Sequence, residues 1–396
     1  MVSIKEAINA LSDIQLNFGT KSIPLTDSLG YYMAEDIIAP IAVPNFNNAA
    51  MDGYAVCWEG EVPNTFKICG LIAAGEVWEK TLHPGEAIRI FTGAMVPKEC
   101  TSVIQQEWAI EREGRVEFTQ PIDSQRNIRL KGSQTQINQT VVSCGQKINS
   151  GIIGLLATLG IQEITVFNQV TASIIITGNE LVEIGDKLPI AKIYNSNGPM
   201  LQSLFLEKGI RALPYTRCLD DPKALENAIT SAIEHSPVIV LTGGISVGDF
   251  DFVKSVLDKL GVKEIFYKIK QKPGKPLYVG CLNSSVFIAL PGNPASVNSC
   301  FHAWVNPFIQ QLNGGPSVNE FYSKLPTAIL MNNYHKKSGL THFVKGNVHN
   351  GRITILTGQE SFNLANLNVA NSLVILPELS ENIESGNPLS YIPFNS

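Results

Sequence analysis

LTGGISVGDFDFVK, Leu241–Lys254, joins an apolar run to a helical pattern through a turn rich in glycine. Read outward, the run begins at SPVIV and the buried strand ends at Thr242. Gly243 and Gly244 let backbone amides wrap an anion, and a helix beginning near Asp249 to Asp251 adds its partial positive charge. Ser246 can donate a hydroxyl. Asp249 and Asp251 read either as helix caps or, for Asp251, as a magnesium ligand beside a bound phosphate. The Walker pattern G-x-x-x-x-G-K-[ST] is missing, which disfavours an ordinary nucleotide triphosphatase.

Two further apolar runs, ASIIIT and SSVFIALPG, alternate with helical stretches. The clearest helix is DDPKALENAITSAIEH, with an Asp cap, Pro222 in the first turn, and Leu225, Ile229 and Ile233 on one face. Strands alternating with helices predict a doubly wound α/β domain, whose ligands sit beyond the carboxyl ends of the strands. Those ends here read TGNE, with Glu180, LTGG, and LPGNPAS, where Pro291 and Pro294 stiffen a loop carrying Ser296.

A charged loop follows the same logic. YKIKQKPGKPLYV, Tyr267–Val279, places Lys268, Lys270, Lys272 and Lys275 about a Pro-Gly-Lys-Pro turn. It reads either as a solvated hairpin end or as an oxyanion site. Pro273 and Pro276 favour the second, because a preorganised turn loses less entropy on binding.

The remainder frames these motifs. The chain has 396 residues, 44% of them hydrophobic, and a formal net charge of -5. That length allows several domains, and the mild acidity argues against nucleic acid as the main partner. No apolar run reaches the roughly 18 residues of a membrane span, and the N-terminus lacks signal-peptide character. Seven scattered cysteines without a Cys-x-x-Cys pair suggest reduced thiols in a cytoplasm. A capping box, Ser3-Ile4-Lys5-Glu6, starts the first helix. Short strand-like runs such as DGYAV and EAIRIF fill residues 40–130 as an inserted β domain. Others, GRITILTG and NSLVILPEL, form a second β domain after about residue 325. On these grounds alone, Asp52 in NNAAMDGYAV and Thr92 in IFTGAMVP are modest signals.

Together AMDGYAV, RIFTGAMVP, TGNEL, YNSNGPML, LTGGISVGDFDFVK, KPGKPLYVG, LPGNPAS and ANSLVILPE resemble, in that order, the MoeA family of molybdopterin molybdenumtransferases, related to the E domain of gephyrin. The resemblance implies a multidomain α/β plus β protein. Residues 1–40 with 131–169 would form a mixed N-terminal domain and 41–130 an inserted β domain. Residues 170–313 would form a molybdopterin-binding-like doubly wound α/β domain, and 314–396 a C-terminal β-barrel. It implies a cytoplasmic homodimer that inserts molybdate, its substrate, into adenylylated molybdopterin, assisted by Mg2+ and releasing AMP. The adenylyltransferase and molybdoenzymes are its implied protein partners; nucleic acid and membrane are not. Matched residue by residue, Asp52, Thr92, Glu180, Asp220 and Asp251 would be catalytic, with Glu180 and Asp251 holding the metal. Gly243, Gly244 and Ser246 match the pterin-phosphate loop. Lys268, Lys272, Lys275, Pro291, Pro294 and Ser296 would bind substrate, Lys275 and Ser296 on the molybdate side.

Some positions depart from the family pattern. RLKGSQ puts Ser133 and Gln134 where two acids are usual, the second at a functional position. Asn179 stands for the usual Asp. GLTHFVK carries Leu340 and Lys345 where arginines are usual, one of them linked to molybdate contact, and Lys345 lacks the guanidinium fork. A molybdopterin adenylyltransferase-like enzyme and a non-catalytic or weakened scaffold of the same fold are the alternative readings.

Overall fold

The computed structural model describes residues 1–245 and 252–394. The chain divides into two compact units, residues 1–22, 30–34 and 165–396, and residues 23–29 and 35–164. The second unit is built on a six-stranded sheet, in the order Ser102–Gln105, Gly53–Val56, Glu86–Ile90, Thr65–Ile72, Arg115–Phe118 and Ala109–Arg112. Every pairing is antiparallel except that of Thr65–Ile72 with Glu86–Ile90. Alternate residues explain its two faces: Ala55, Ile88 and Val103 enter one apolar cluster, Tyr54, Ala87 and Ile104 the other.

In the first unit, the opening helix spans Ile4–Ser12 and starts on the expected capping box, Ser3 and Glu6 satisfying each other's amides. The α/β sheet runs Thr216–Cys218, Ala172–Thr177, Val238–Thr242, Ser285–Leu290, Tyr278–Leu282, Lys263–Tyr267. Its first four strands pair in parallel and its last two pairings are antiparallel, so that Tyr278–Leu282 alone runs against the others. All five residues of Val238–Thr242 are buried. Val238 and Val240 enter one core with Leu201 and Phe205, while Ile239 and Leu241 enter a second with Leu225 and Ile229. Both faces are therefore covered by helices, which is why these strands read as continuous apolar runs. The helix Pro222–His235 has Asp221 as its cap and Pro222 at its first turn, as its sequence implies. The helix after the glycine turn begins at Val253, with Phe252 in the cap position. That start is later than the Asp249 to Asp251 expected, and Ser246, Asp249 and Asp251 lie outside the described residues.

The C-terminal part closes into a five-stranded barrel. Thr341–His349, Arg352–Ile355, Thr327–Leu330, Pro388–Pro393 and Ser372–Leu376 pair in turn, and the last returns to the first. Leu330, Val344, Ile353 and Val374 fill it. The short strand Gln271–Lys272 adds in parallel to the barrel strand Thr341–His349, so the lysine loop is held between sheet and barrel. Among the described residues, no helix is long and apolar enough to cross a membrane.

One buried group makes this unit sensitive to acid. His302 is 2% exposed and stacks on Phe394 with ring centroids 4.4 Å apart. Burial, reinforced by Lys208, pushes its pKa down to about 3. Below the ordinary value of about 6.5 the unfolded chain takes up a proton that the folded chain refuses. Stability should therefore fall by about 1.4 kcal/mol per pH unit between about pH 6 and pH 4 from this group. Urea unfolding followed across that range should show a shallower decline for His302→Phe, which keeps the stacking ring. An unchanged pH dependence would remove His302 as its source.

Candidate functional site

The carboxyl ends of the parallel strands open into a cleft of about 1010 Å3, bordered also by the lysine loop and a barrel loop. Its floor is the glycine turn. Gly243 and Gly244 adopt φ of 91° and 57°, conformations that favour glycine. A Cβ on Gly243 would meet the Thr177 carbonyl oxygen at 2.4 Å, so the turn lies directly on the end of the neighbouring strand. Asn197, at the start of the helix Asn197–Glu207, ties the two central strand ends together. Its Nδ2 donates to Thr242 Oγ1 (3.0 Å) and to the Gly292 carbonyl (2.8 Å). The Thr242 hydroxyl in turn donates to the Pro291 carbonyl (3.1 Å). This network fixes the glycine turn against the Pro291–Ser296 loop, where Pro294 opens a helix and Ser296 is buried at the cleft wall.

Acidic groups come from the two strands on the other side. Asp220 Oδ2 accepts from the Asn179 amide (2.8 Å), and the Asp220 amide donates to Asn179 Oδ1 (3.2 Å). Glu180 and Asp220 both line the cleft. These are hard oxygen donors of the kind magnesium prefers. Among the described residues no cluster of three or more His, Cys, Asp or Glu groups is arranged to hold a metal. A magnesium ion at Glu180 would complete its coordination with oxygens of the substrate or of water, in keeping with its habit of binding few protein carboxylates together with phosphate.

The lysine loop faces these acids with opposite charge. Lys270 pairs with Glu378 (3.1 Å), and the Lys268 ammonium lies 4.8 Å from the Tyr267 ring centroid. Lys272 and Lys275 are exposed in the cleft, and neither has a carboxylate partner among the described residues. Buried Gln271 braces their turn: it accepts from Trp304 Nε1 (2.8 Å) and donates to the Gly274 carbonyl (3.1 Å). Two ammoniums without carboxylate partners among the described residues, on a braced turn beside two glycines, are the kind of donors an oxyanion would need.

Comparison with known proteins gives this arrangement its context. Residues 2–160 match the family model described as MoeA N-terminal region (domain I and II), and 327–394 match MoeA C-terminal region (domain IV). Residues 173–311 match the model described as Probable molybdopterin binding domain. A Staphylococcus epidermidis protein named molybdopterin molybdenumtransferase is 31% identical, covering 99% of this chain and 95% of its own. One from Staphylococcus aureus is 30% identical over the same shares. The chain belongs to the MoeA family. A crystal structure of the molybdopterin biosynthesis moeA protein from Pyrococcus horikoshii OT3 superposes with a TM-score of 0.83 at 25% identity, covering 99% of both chains.

Four of the residues that depart from the MoeA pattern, Asn179, Leu340, Lys345 and Gln134, have defined places in the structure. Asn179 accepts the Asp220 amide through its side-chain oxygen, so the amide does what a carboxylate would do there. Leu340 lines the cleft with an apolar side chain. Lys345 is 3% exposed and does not line the cleft. Its ammonium donates to the carbonyls of Gly358 (2.9 Å) and Asn363 (2.8 Å). Burial lowers its pKa. It thereby anchors the barrel loop that carries Gln359, Ser361, Phe362 and Leu364 into the cleft wall. Lys268 lies outside the lining.

Asp52 and Thr92 belong to the other compact unit and pair with each other. The Thr92 amide (2.8 Å) and hydroxyl (2.7 Å) both donate to Asp52 Oδ1, the amide contributing most to holding the Asp52 pKa below its ordinary value. Gln134 is exposed there, its amide donating to the Val43 carbonyl (3.0 Å). Sequence reasoning passed over Asn197, Gln271 and Phe362. YNSNGPML was visible as a motif, but the partners of Asn197 lie 45 and 95 residues away.

Proposed function

We propose that this chain is a transferase of molybdenum cofactor biosynthesis that inserts molybdate into adenylylated molybdopterin and releases AMP. The observation that carries this is the meeting, in one cleft, of a strand-end glycine turn with two ammoniums that lack carboxylate partners among the described residues. The Gly243–Gly244 turn would receive the terminal phosphate of the pterin through backbone amides. Lys272 and Lys275 would hold the molybdate dianion as point charges, with the Ser296 hydroxyl at the same wall. Magnesium, bound by Glu180 and Asp251, would offset the negative charge of the pyrophosphate while its bond to AMP breaks. Asp220 would fix the Asn179–Glu180 segment through its paired hydrogen bonds. The same reading assigns catalytic roles to Asp52 and Thr92, lets Ser246 and Lys268 bind substrate, and has the enzyme act as a cytoplasmic homodimer.

Purified protein supplied with adenylylated molybdopterin, magnesium and molybdate should yield cofactor that activates a molybdenum-free apoenzyme. Binding without turnover would leave the second reading, a non-catalytic scaffold. That reading draws on Gln134 and Leu340, uncharged where the family pattern has an acid and an arginine.

A further inference from the structure

We infer that Phe362 is a stacking platform for a planar nitrogen heterocycle of the substrate; the inference rests on the function proposed above. Phe362 is 67% exposed and lines the cleft. A large apolar ring in the lining of a cleft offers a surface that a ligand can cover. Its position is set by several independent ties. On one side Asn293 Nδ2 donates to Ser361 Oγ (2.9 Å), and the Ala295 amide donates to the Ser361 carbonyl (3.0 Å). On the other, Lys345 clasps the Gly358 and Asn363 carbonyls, and Gln359 exchanges hydrogen bonds with the Lys345 backbone (both 2.9 Å). The loop is thus pinned immediately before and after the ring, which limits the entropy lost on binding.

The chemistry of the surroundings says what the ring would take. Lys272, Lys275, Glu180 and Asp220 supply the charges for oxyanion and metal, whereas Leu340 and Leu364 extend the barrel side of the cleft as apolar lining. Among the described residues, the other exposed aromatic in the lining, Tyr194, has its hydroxyl tied to the Asp186 carbonyl (3.0 Å). An apolar wall ending in a free phenyl face suits a flat fused ring, and stacking of a base on an aromatic side chain is worth about tenfold or more in affinity. The substrate proposed above offers two such rings, the pterin and the adenine.

Equilibrium titrations with adenylylated molybdopterin, molybdopterin and AMP separate the possibilities, using wild type, Phe362→Ala, Phe362→Leu and Phe362→Tyr. Phe362→Ala should bind adenylylated molybdopterin at least about tenfold more weakly, Phe362→Tyr should restore the affinity, and Phe362→Leu should not. The same loss should appear with either molybdopterin or AMP, which names the ring that stacks. The inference is overturned by Phe362→Ala binding like wild type, by full restoration in Phe362→Leu, or by a loss seen with neither half of the substrate. A wild type that binds none of the three ligands overturns the proposed function, and this inference with it. The exposed position of Phe362 leaves the fold of all three variants intact, and equal melting temperatures would verify that.

Discussion

Gly274→Ala is expected to lower the melting transition of the unit that holds the cleft by roughly 5 °C or more, and to cost most of the activity. Gly274 is buried with φ of 85°, where a side chain is strained. Its added Cβ would lie 2.3 Å from Cys300 Sγ and 2.7 Å from Gln271 Nε2. Cys300 is fully buried, so it has no room to yield, and Gln271 is fixed by Trp304. Overpacking of this kind costs about 1–3 kcal/mol, to which the left-handed backbone adds about 1–2 kcal/mol. For a domain of this size each kcal/mol moves the melting temperature by about 2–4 °C. Calorimetry with a parallel activity assay measures both consequences. A melting curve like that of wild type would show that the turn is not held as described.

Lys275→Ala should leave the fold unchanged and raise the molybdate concentration needed for half-maximal rate by about tenfold to a hundredfold. The ammonium is exposed in the cleft and has no carboxylate partner among the described residues, so its removal breaks no ion pair. What is lost is a charge-assisted hydrogen bond to an oxyanion, worth about 1.5–3 kcal/mol. The affinity for adenylylated molybdopterin should change by much less, because its phosphate is assigned to the glycine turn. Initial rates across molybdate concentrations, with pterin binding measured separately, give the comparison. Equal losses on both would end the division of labour between lysine loop and glycine turn.

The parts of this site that were legible in the sequence share one property: they are local. A strand buried on both faces shows as an apolar run, and a turn that needs left-handed backbone shows as glycine at its end. Gly243, Gly244 and the prolines about Lys272 and Lys275 were readable for that reason, as were the caps at Ser3 and Asp221. What escaped depends on pairs far apart in the chain. Gln271 braces the lysine turn through Trp304, 33 residues on, and Asp220 meets Asn179 across 41 residues. Lys345 is the sharpest case. Its sequence position suggests an altered anion contact, but its burial beneath the barrel loop turns the ammonium onto two carbonyls. The exposure of Phe362 was equally invisible, since nothing in SFNLAN separates a core phenylalanine from one on a cleft wall.

In the proposed reaction, oxyanion binding and cleavage of the pyrophosphate are coupled. The most direct measurement is AMP released from adenylylated molybdopterin by the purified wild-type protein with magnesium, as molybdate is raised from zero. AMP release should rise with molybdate and saturate. Release that is equally fast without molybdate, or no release at any concentration, would contradict that coupling.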